Sequence, residues 1–138
     1  DPIAANRFDG ELKNAYLQQL IFANKKALEI IDSIQEKNPD NVIILMSDHG
    51  GRFGVDWADP TEMDYFRGFN NLSALYFPGQ ESNIPNYVSN VNIFRIFFNL
   101  YFDTNYEILD EKLIWYDYTR PFLHNDVTEL VKSSSLRN

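Results

Sequence analysis

The sequence feature that most constrains the fold is a short apolar run with a polar, glycine-rich segment directly behind it. The run covers residues 42–46 (Val-Ile-Ile-Leu-Met), and residues 47–54 read Ser-Asp-His-Gly-Gly-Arg-Phe-Gly. A continuous, partly β-branched run of this length is typical of a strand covered on both faces, as in parallel sheets with helices on either side. The sequence therefore predicts an α/β fold with a ligand-binding loop at the carboxyl end of this strand.

Helices and strands alternate along the rest of the chain. Apolar residues recur at the helical spacing over residues 11–37, and that helix ends before Pro39 because the residue preceding a proline avoids helical angles. The sequence predicts four further elements, which are a helix capped by Asp59, a strand over residues 72–77, a helix over residues 89–102 and a strand over residues 113–118.

The helix predicted over residues 89–102 is apolar around almost its whole circumference, which is typical of a helix enclosed by more protein than one sheet face supplies. About three strands are also few for a free-standing doubly wound sheet. We therefore expect part of the sheet to lie elsewhere. We assign residues 1–132 to one unit and residues 133–138, which begin with three serines, to a frayed tail.

Composition excludes several classes of function. The chain has 12 Lys and Arg against 20 Asp and Glu, a net charge of -8, which argues against a nucleic-acid partner because such surfaces need clustered cations. Cysteine is absent, which excludes disulfides and thiolate metal sites. The longest apolar run is far shorter than the ~20 residues of a membrane span, so we expect this chain to be soluble.

Asp48 and His49 are the candidate metal ligands. A hard carboxylate oxygen beside an imidazole nitrogen suits Zn, Mn or Mg, and the glycines behind them would let backbone approach an anion closely. The residues alone leave an alternative open, in which Asp48 caps a turn and His49 is a packed, hydrogen-bonded histidine. The second histidine, His124, falls in a predicted polar loop and is interpreted as a surface residue.

The chain offers no nucleophile of a recognisable type. Ser47 is adjacent to Asp48 and His49, and neighbouring residues cannot align as a serine-histidine-acid relay, so we expect Ser47 to end the strand by hydrogen-bonding local backbone. There is neither a Gly-x-Ser-x-Gly elbow nor a phosphate-binding loop of the Walker type.

The remaining charged residues leave more than one interpretation open. Arg52 could hold an anionic substrate group through its planar guanidinium, or be a solvated loop arginine. Arg95 lies inside the apolar helix, where we expect a structural ion pair. The acidic run of Asp56, Asp59, Glu62 and Asp64 is interpreted as a solvated helix start rather than a calcium site.

Four ordered segments resemble one enzyme family. Residues 42–50 (Val-Ile-Ile-Leu-Met-Ser-Asp-His-Gly) are similar to the late metal-binding motif of the alkaline phosphatase and sulfatase superfamily, and most of all to bacterial membrane-anchored sulfatase-like proteins related to lipoteichoic acid synthase. Residues 16–32 are similar to the helix before that motif, residues 71–79 to the strand after it, and residues 89–95 with 99–102 to the following helix.

The resemblance implies a doubly wound α/β sheet, of which this chain is the C-terminal portion, and phosphoryl or sulfuryl transfer to water or another acceptor. It implies that Asp48 and His49 ligate one divalent ion (Mn, Mg, Ca or Zn) in the intact protein. Asn24 stands where two-metal members carry an aspartate, which favours a single ion. The substrate would be an anionic phosphate or sulfate ester.

The resemblance also implies that the nucleophile and a further acidic ligand belong to an N-terminal half that has no counterpart here. This chain alone is then expected to be inactive, and its parent to act on the extracytoplasmic face of a bacterial membrane. Two alternatives remain. One is a non-catalytic interaction domain with a structural Asp48-His49 turn, which would form homodimers or bind a partner through its exposed apolar helix. The other is a superfamily member that has lost catalysis and retains binding.

Overall fold

The structure is a computed structural model that describes residues 10–117 and 120–133 of the chain. It is a mixed α/β arrangement, as the alternation of sequence patterns predicts. The elements in chain order are α1 (Gly10–Lys37), β1 (Ile43–Met46), α2 (Glu62–Phe69), β2 (Ser73–Tyr76), α3 (Asn90–Tyr101), β3 (Ile114–Asp117), β4 (Arg120–Asp126) and α4 (Thr128–Ser133).

Both sheets are two-stranded and antiparallel within the described residues. β1 pairs with β2, with Ile43 opposite Tyr76 and Met46 opposite Ser73, and β3 pairs with β4. The expectation of a buried parallel strand is therefore not met here, because β1 is half-buried and its partner runs the other way. No doubly wound sheet is present in this part of the chain. The antiparallel pairing has one consequence for the site, since it brings the start of β2 beside the end of β1.

The first helix, α1, confirms the prediction from the helical spacing. It has 28 residues, which makes it about 42 Å long, and it ends at Lys37 just before the Asn-Pro pair. Its contact with the loop behind β1 includes an edge-to-face pair between Tyr16 and Phe53, whose ring centroids are 4.4 Å apart. Several of its large apolar side chains are mostly exposed, among them Ile21, Phe22, Leu28 and Ile30.

The short helix α2 begins two residues later than predicted. Thr61, not Asp59, is its N-cap: the Thr61 hydroxyl accepts from the Asp64 backbone N–H, and the Asp64 carboxylate accepts from the Thr61 N–H at 2.9 Å. This reciprocal pair satisfies two helix-end donors at once, which explains why it determines the start of the helix. Pro60 then lies before the helix instead of at its first position.

The main hydrophobic cluster, which we call the Trp115 core, joins β3 to α2 and α4. It consists of Val55, Trp115, Val127 and Val131, all buried. The Trp115 indole lies on Gly68 of α2 so closely that a Cβ there would sit 2.7 Å from the ring. The Trp115 core therefore fixes α2, which lies behind the loop that follows β1, against the C-terminal hairpin and helix.

The helix α3 is only partly enclosed. Ile93 and Ile96 are buried, and the fully buried Phe77 lies against Phe97 and Tyr101 of the same helix. Val91 and Phe94, by contrast, are half exposed. The sequence predicts that this helix is covered on nearly all sides, but the described residues cover only one side of it.

Asparagine side chains bind α3 to the extended segment of residues 103–113, which we call the strap. The Asn92 amide donates to the Leu109 carbonyl at 2.9 Å and accepts from the Leu109 N–H at 3.0 Å. Asn99, two helical turns on, makes the same pair with Tyr106, at 2.8 and 2.7 Å. The side-chain amides of a buried and a partly buried asparagine thus provide backbone partners that a strand would otherwise supply.

Arg95 does not form the ion pair that the sequence predicts. Its guanidinium donates to the Glu107 backbone carbonyl at 2.9 Å, and no carboxylate of the described residues lies within 4.0 Å of it. A backbone carbonyl of the strap, rather than an acidic side chain, therefore compensates this arginine.

The C-terminal hairpin extends past the predicted strand. The region around His124, interpreted from its polarity as a loop, is the strand β4, and every residue of β4 is exposed, with Phe122 at 95%. The predicted strand over 113–118 corresponds to β3, which begins one residue later, at Ile114; residue 118 lies outside the described residues. Ser133 closes α4 instead of starting a frayed tail, while residues 134–138 and 1–9 also lie outside.

Candidate functional site

Ser47 closes β1 and begins the candidate site. Its N–H donates to the Leu72 carbonyl at 2.9 Å, and its hydroxyl accepts from the Leu72 N–H at 2.9 Å. The hydroxyl is therefore hydrogen-bonded to backbone, but its partner Leu72 is 25 residues away, so the predicted local partner is wrong. These two hydrogen bonds to Leu72 fix the position of Ser47, from which residues 48–54 continue.

Two asparagines hold the same point from the other side. The side-chain amides of Asn71 and Asn90 both donate to the Ser47 carbonyl at 3.0 Å, and Asn71 also donates to Asn90 at 2.8 Å. Asn71 precedes β2 and Asn90 is the first residue of α3, so two elements converge on one carbonyl. Sequence reasoning did not single out these residues, although both fall in segments that carry the family resemblance.

Gly50 allows the loop to approach α2 closely. Its N–H donates to the Gly68 carbonyl at 2.9 Å, and a Cβ on Gly50 would lie 2.0 Å from the Arg67 carbonyl oxygen. The neighbouring Asn70 oxygen would be only 2.7 Å away. The glycine is therefore needed for contact with the end of α2, a role different from the close approach of backbone to an anion that the sequence predicts.

Asp48 and His49 project from this fixed backbone into solvent. Their side chains are 88% and 48% exposed, and Asp48 Oδ2 lies 3.7 Å from His49 Nε2. Asp48 Oδ1 accepts the His49 backbone N–H at 3.0 Å, which orients the carboxylate. Asp48 thus uses Oδ1 to cap the turn, while its Oδ2 remains on the side of the His49 ring.

The His49 ring has a hydrogen bond that selects its tautomer. His49 Nδ1 lies 2.7 Å from the Gly50 carbonyl oxygen, which can only accept, so Nδ1 carries the proton in the neutral ring. The lone pair is then on Nε2, the atom that faces Asp48. A backbone carbonyl that orients a ligating histidine in this way is common at metal sites.

The separation of the two donor atoms fits a shared ion. Ligand bonds from nitrogen and oxygen to zinc-like ions are about 2.0–2.2 Å, which places two ligands of one ion about 3–4 Å apart. The observed 3.7 Å falls within this range. Within the described residues, no set of three or more His, Asp and Glu side chains is arranged to hold an ion, so these two are not a complete site.

Arg52 is held against two indoles. Its guanidinium carbon lies 5.8 Å from the Trp57 ring centroid and 5.7 Å from that of Trp115, and these two rings stack at 5.2 Å. Its Nε is buried and has no hydrogen-bond partner among the described residues. Arg52 is thus not the freely solvated loop arginine that the alternative interpretation describes.

Asp48, His49 and Arg52 line an open cleft of about 890 Å³. One side is formed by the loop behind β1 and the end of α2, and the other by residues 84–91, which lead into α3. Lys112 and Leu113, at the end of the strap, complete it. The charged residues of its lining are Asp48, Arg52 and Lys112.

The other candidates lie elsewhere. His124 is in β4 opposite Tyr116 and does not line the cleft. In the acidic run, Asp56 accepts the Ala58 N–H at 2.9 Å and Asp64 completes the α2 cap, so both carboxylates have local backbone partners. Burial raises the pKa of Tyr65, and the nearby charges of Asp59 and Asp64 raise it further.

Comparisons with protein-family models, with curated proteins and with solved structures found no match. Among the described helices, none combines the length and the apolar character that crossing a membrane requires.

Proposed function

We propose that this chain is the C-terminal part of a metal-dependent phosphoryl or sulfuryl hydrolase or transferase of the alkaline phosphatase and sulfatase superfamily. The observation that carries the proposal is the presentation of Asp48 Oδ2 and His49 Nε2, 3.7 Å apart, on a loop whose backbone is fixed from three sides. The four-segment resemblance supplies the reaction class. The parent would place this site on the extracytoplasmic face of a bacterial membrane.

Each site residue has a definite role in this proposal. Asp48 and His49 would hold one Mn, Mg, Ca or Zn ion, with His49 binding through Nε2 because the Gly50 carbonyl engages Nδ1. A bound divalent ion would neutralise negative charge that develops on the transferred group. Arg52 would bind and orient the anionic ester, since its guanidinium is charged at every physiological pH.

The proposal assigns the nucleophile and the remaining ligands to a preceding part of the same polypeptide. Two ligands from this chain would leave the ion incompletely coordinated, so the remaining ligands would come from that preceding part. The same preceding part would extend β1 and β2 into a doubly wound sheet. It would also cover exposed apolar side chains on α1 such as Ile21 and Phe22.

Calorimetric titration with Mn²⁺ tests the metal ligands. We expect weak binding to this chain that is lost in Asp48→Asn and in His49→Gln, and that is unchanged in His124→Gln, a matched control outside the cleft. A polypeptide that includes the preceding part should bind Mn²⁺ much more tightly. Equal binding by wild type, Asp48→Asn and His49→Gln would contradict the proposal.

A second assay tests the division of labour between the two parts. We expect no hydrolysis of p-nitrophenyl phosphate or p-nitrophenyl sulfate by this chain with Mn²⁺, because it supplies no nucleophile. Hydrolysis that disappears in Asp48→Ala would place a complete active site within the 138 residues and overturn this part of the proposal.

The exposed apolar surface favours a second candidate, a non-catalytic interaction domain. Val91, Phe94 and Phe98 on α3 are 55%, 50% and 38% exposed, and large exposed apolar patches mark contact surfaces. In that case Asp48 and His49 form a structural turn, and neither this chain nor a longer polypeptide binds Mn²⁺. Light scattering that shows a homodimer, together with absent metal binding, would favour this candidate.

A further inference from the structure

The Ser47 carbonyl oxygen accepts two side-chain hydrogen bonds, one for each of its lone pairs. Asn71 and Asn90 both donate to it at 3.0 Å, and Asn71 gives its second N–H to the Asn90 side-chain oxygen at 2.8 Å. The two amides and the carbonyl form a closed triangle, which we call the asparagine clamp. The carbonyl that the clamp saturates belongs to the peptide bond that leads into Asp48.

The asparagine clamp joins three segments that are far apart in sequence. Ser47 follows β1, Asn71 precedes β2 and Asn90 is the first residue of α3. The bonds to the Ser47 carbonyl span 24 residues from Asn71 and 43 from Asn90, and all three residues are half-buried. Hydrogen bonds that are partly removed from water are stronger than exposed ones, so the clamp fixes the plane of the peptide bond before Asp48.

The turn behind the clamp is also held at its other end. The Gly50 N–H donates to the Gly68 carbonyl at 2.9 Å, which fixes Gly50 on α2. Only Asp48 and His49 lie between these two fixed points. Their backbone therefore has little freedom, and two bonds form within the turn: the His49 N–H donates to Asp48 Oδ1 at 3.0 Å, and His49 Nδ1 lies 2.7 Å from the Gly50 carbonyl oxygen.

The second of these bonds determines which ring nitrogen of His49 is available to a ligand. It keeps the proton of the neutral ring on Nδ1 and leaves the lone pair on Nε2, 3.7 Å from Asp48 Oδ2. The Gly50 carbonyl can select this tautomer only while the turn keeps its shape. An imidazole ring released from the bond would carry its proton on either nitrogen.

We propose that Asn71 and Asn90 are positioning residues for Asp48 and His49, and that the clamp keeps the lone pair of His49 on Nε2. For the metal, this inference rests on the proposed function, whereas the effect on the His49 ring needs no metal. Residues that orient a ligand without touching the ion typically change metal affinity about 10–100-fold when they are replaced.

Variants of nearly the same shape break the clamp. Asn90→Asp sets a carboxylate oxygen against the Ser47 carbonyl oxygen, while a carboxylate can still accept from Asn71. Asn71→Asp creates the same repulsion and also loses the bond to Asn90, so it should have the larger effect. Asn86→Asp is the matched control, because Asn86 is an exposed residue of the cleft wall and lies outside the clamp.

Nuclear magnetic resonance of the histidine rings measures the effect directly. At alkaline pH, where imidazole is neutral, the chemical shifts of the two ring nitrogens show which one carries the proton. We expect wild type and Asn86→Asp to have His49 protonated at Nδ1, and Asn71→Asp and Asn90→Asp to show a mixture of both tautomers. His124, which lies in β4, should be the same in every variant.

An unchanged His49 tautomer in both Asn71→Asp and Asn90→Asp would overturn the inference. The backbone amide spectrum outside residues 47–51 shows whether each variant is folded. A variant that fails to fold is replaced by Asn71→Ala or Asn90→Ala, which removes the donor without adding a charge, and the same tautomer ratio is measured.

Mn²⁺ separates this inference from the proposed function. Broadening of the His49 ring signals should need about tenfold more Mn²⁺ or more in Asn71→Asp than in Asn86→Asp, which carries the same added charge. Equal broadening in the two variants would overturn the positioning role and leave the proposed function standing. Absence of broadening in wild type would contradict the proposed function, while a changed tautomer in Asn71→Asp would still support the positioning of His49 by the clamp.

Discussion

The loop behind β1 and the helix α1 before it are built in opposite ways. The loop contains few apolar residues, yet Ser47 and Gly50 tie its backbone to three other segments. α1 has 28 residues and many apolar side chains, yet Ile21 and Leu28 are about 60% exposed. Hydrogen bonds to backbone groups and the Trp115 core therefore determine how firmly a segment of this protein is held in place. The number of apolar residues in the segment does not.

The largest predicted effect contrasts a buried and an exposed aromatic residue of the same hairpin. Trp115→Ala should lower the free energy of unfolding by about 4 kcal/mol, because it empties the center of the Trp115 core. Phe122→Ala, at a ring that is 95% exposed, should change it by less than about 0.5 kcal/mol. Urea denaturation followed by circular dichroism measures both.

A large loss in Phe122→Ala would contradict the comparison, because it would mean that the outer face of the hairpin is already covered in solution. A self-associated state would give this result. Repeating the denaturation at several protein concentrations identifies it, since the midpoint then rises with concentration.

The second prediction concerns the closeness of the loop to α2. Gly50→Ala should cost about 3 kcal/mol, because its Cβ would meet the Arg67 and Asn70 carbonyl oxygens, and backbone cannot yield as a side chain does. Gly51→Ala is the matched control: its Cβ would lie 3.5 Å from the Phe53 ring, an ordinary contact, and should change stability by less than about 0.5 kcal/mol. Equal stabilities of the two variants would show that the loop is not seated on α2.

The third prediction tests whether hydrogen bonds can replace packing between α3 and the strap. Asn92→Ala should cost about 2 kcal/mol, because Asn92 is 4% exposed and its loss leaves both backbone groups of Leu109 without that partner. Asn99→Ala should cost less, since Asn99 is only partly buried. Thermal denaturation gives the order of the two losses.

Hydrogen exchange supplies the control for this pair. Asn92→Ala should accelerate exchange of the Leu109 amide, and Asn99→Ala that of the Tyr106 amide, each with little effect on the other. Acceleration of both amides by either variant would mean that the strap detaches as a unit, and the two bonds would then not be independent.

Local patterns predicted the elements from α1 to β3 but neither β4 nor α4. The helical spacing over residues 11–37 predicted α1, and the apolar run at residues 42–46 predicted β1. The cap of α2 was misassigned because Asp59-Pro60 and Thr61 both provide start signals, and only the reciprocal bond between Thr61 and Asp64 decides between them. Strand direction could not be predicted, because it depends on which segments meet in space.

Some residues of the candidate site could likewise be predicted from the sequence, and others could not. Asp48 and His49 are adjacent in sequence, so their proximity needed no knowledge of the fold. Asn71, Asn90 and Lys112 are separated from them by tens of residues, and no motif places them at this site, because an amide that binds a distant carbonyl leaves no periodic signal. The strand β4 was missed since its exposed residues do not alternate between apolar and polar.

The smallest predicted effect lies at Asp126, where the exposed strand β4 meets α4. The hydroxyl and backbone N–H of Thr128 donate to its carboxylate and lower its pKa from 3.8, with smaller help from Lys112 and Lys132. A carboxyl whose pKa is lower in the folded state stabilises the fold above pH 3.8, and this contribution is lost as the pH falls through the folded-state pKa.

Asp126→Asn should therefore be less stable than wild type at neutral pH, and the difference should shrink on acidification. Urea denaturation at neutral pH and below 3.8 measures it, with Glu129→Gln as the control for general loss of negative charge. A difference that stays constant with pH would mean that the hydrogen bonds of Thr128 do not distinguish the charged from the neutral carboxyl, and that the junction between the exposed strand and the packed helix is held by the Trp115 core alone.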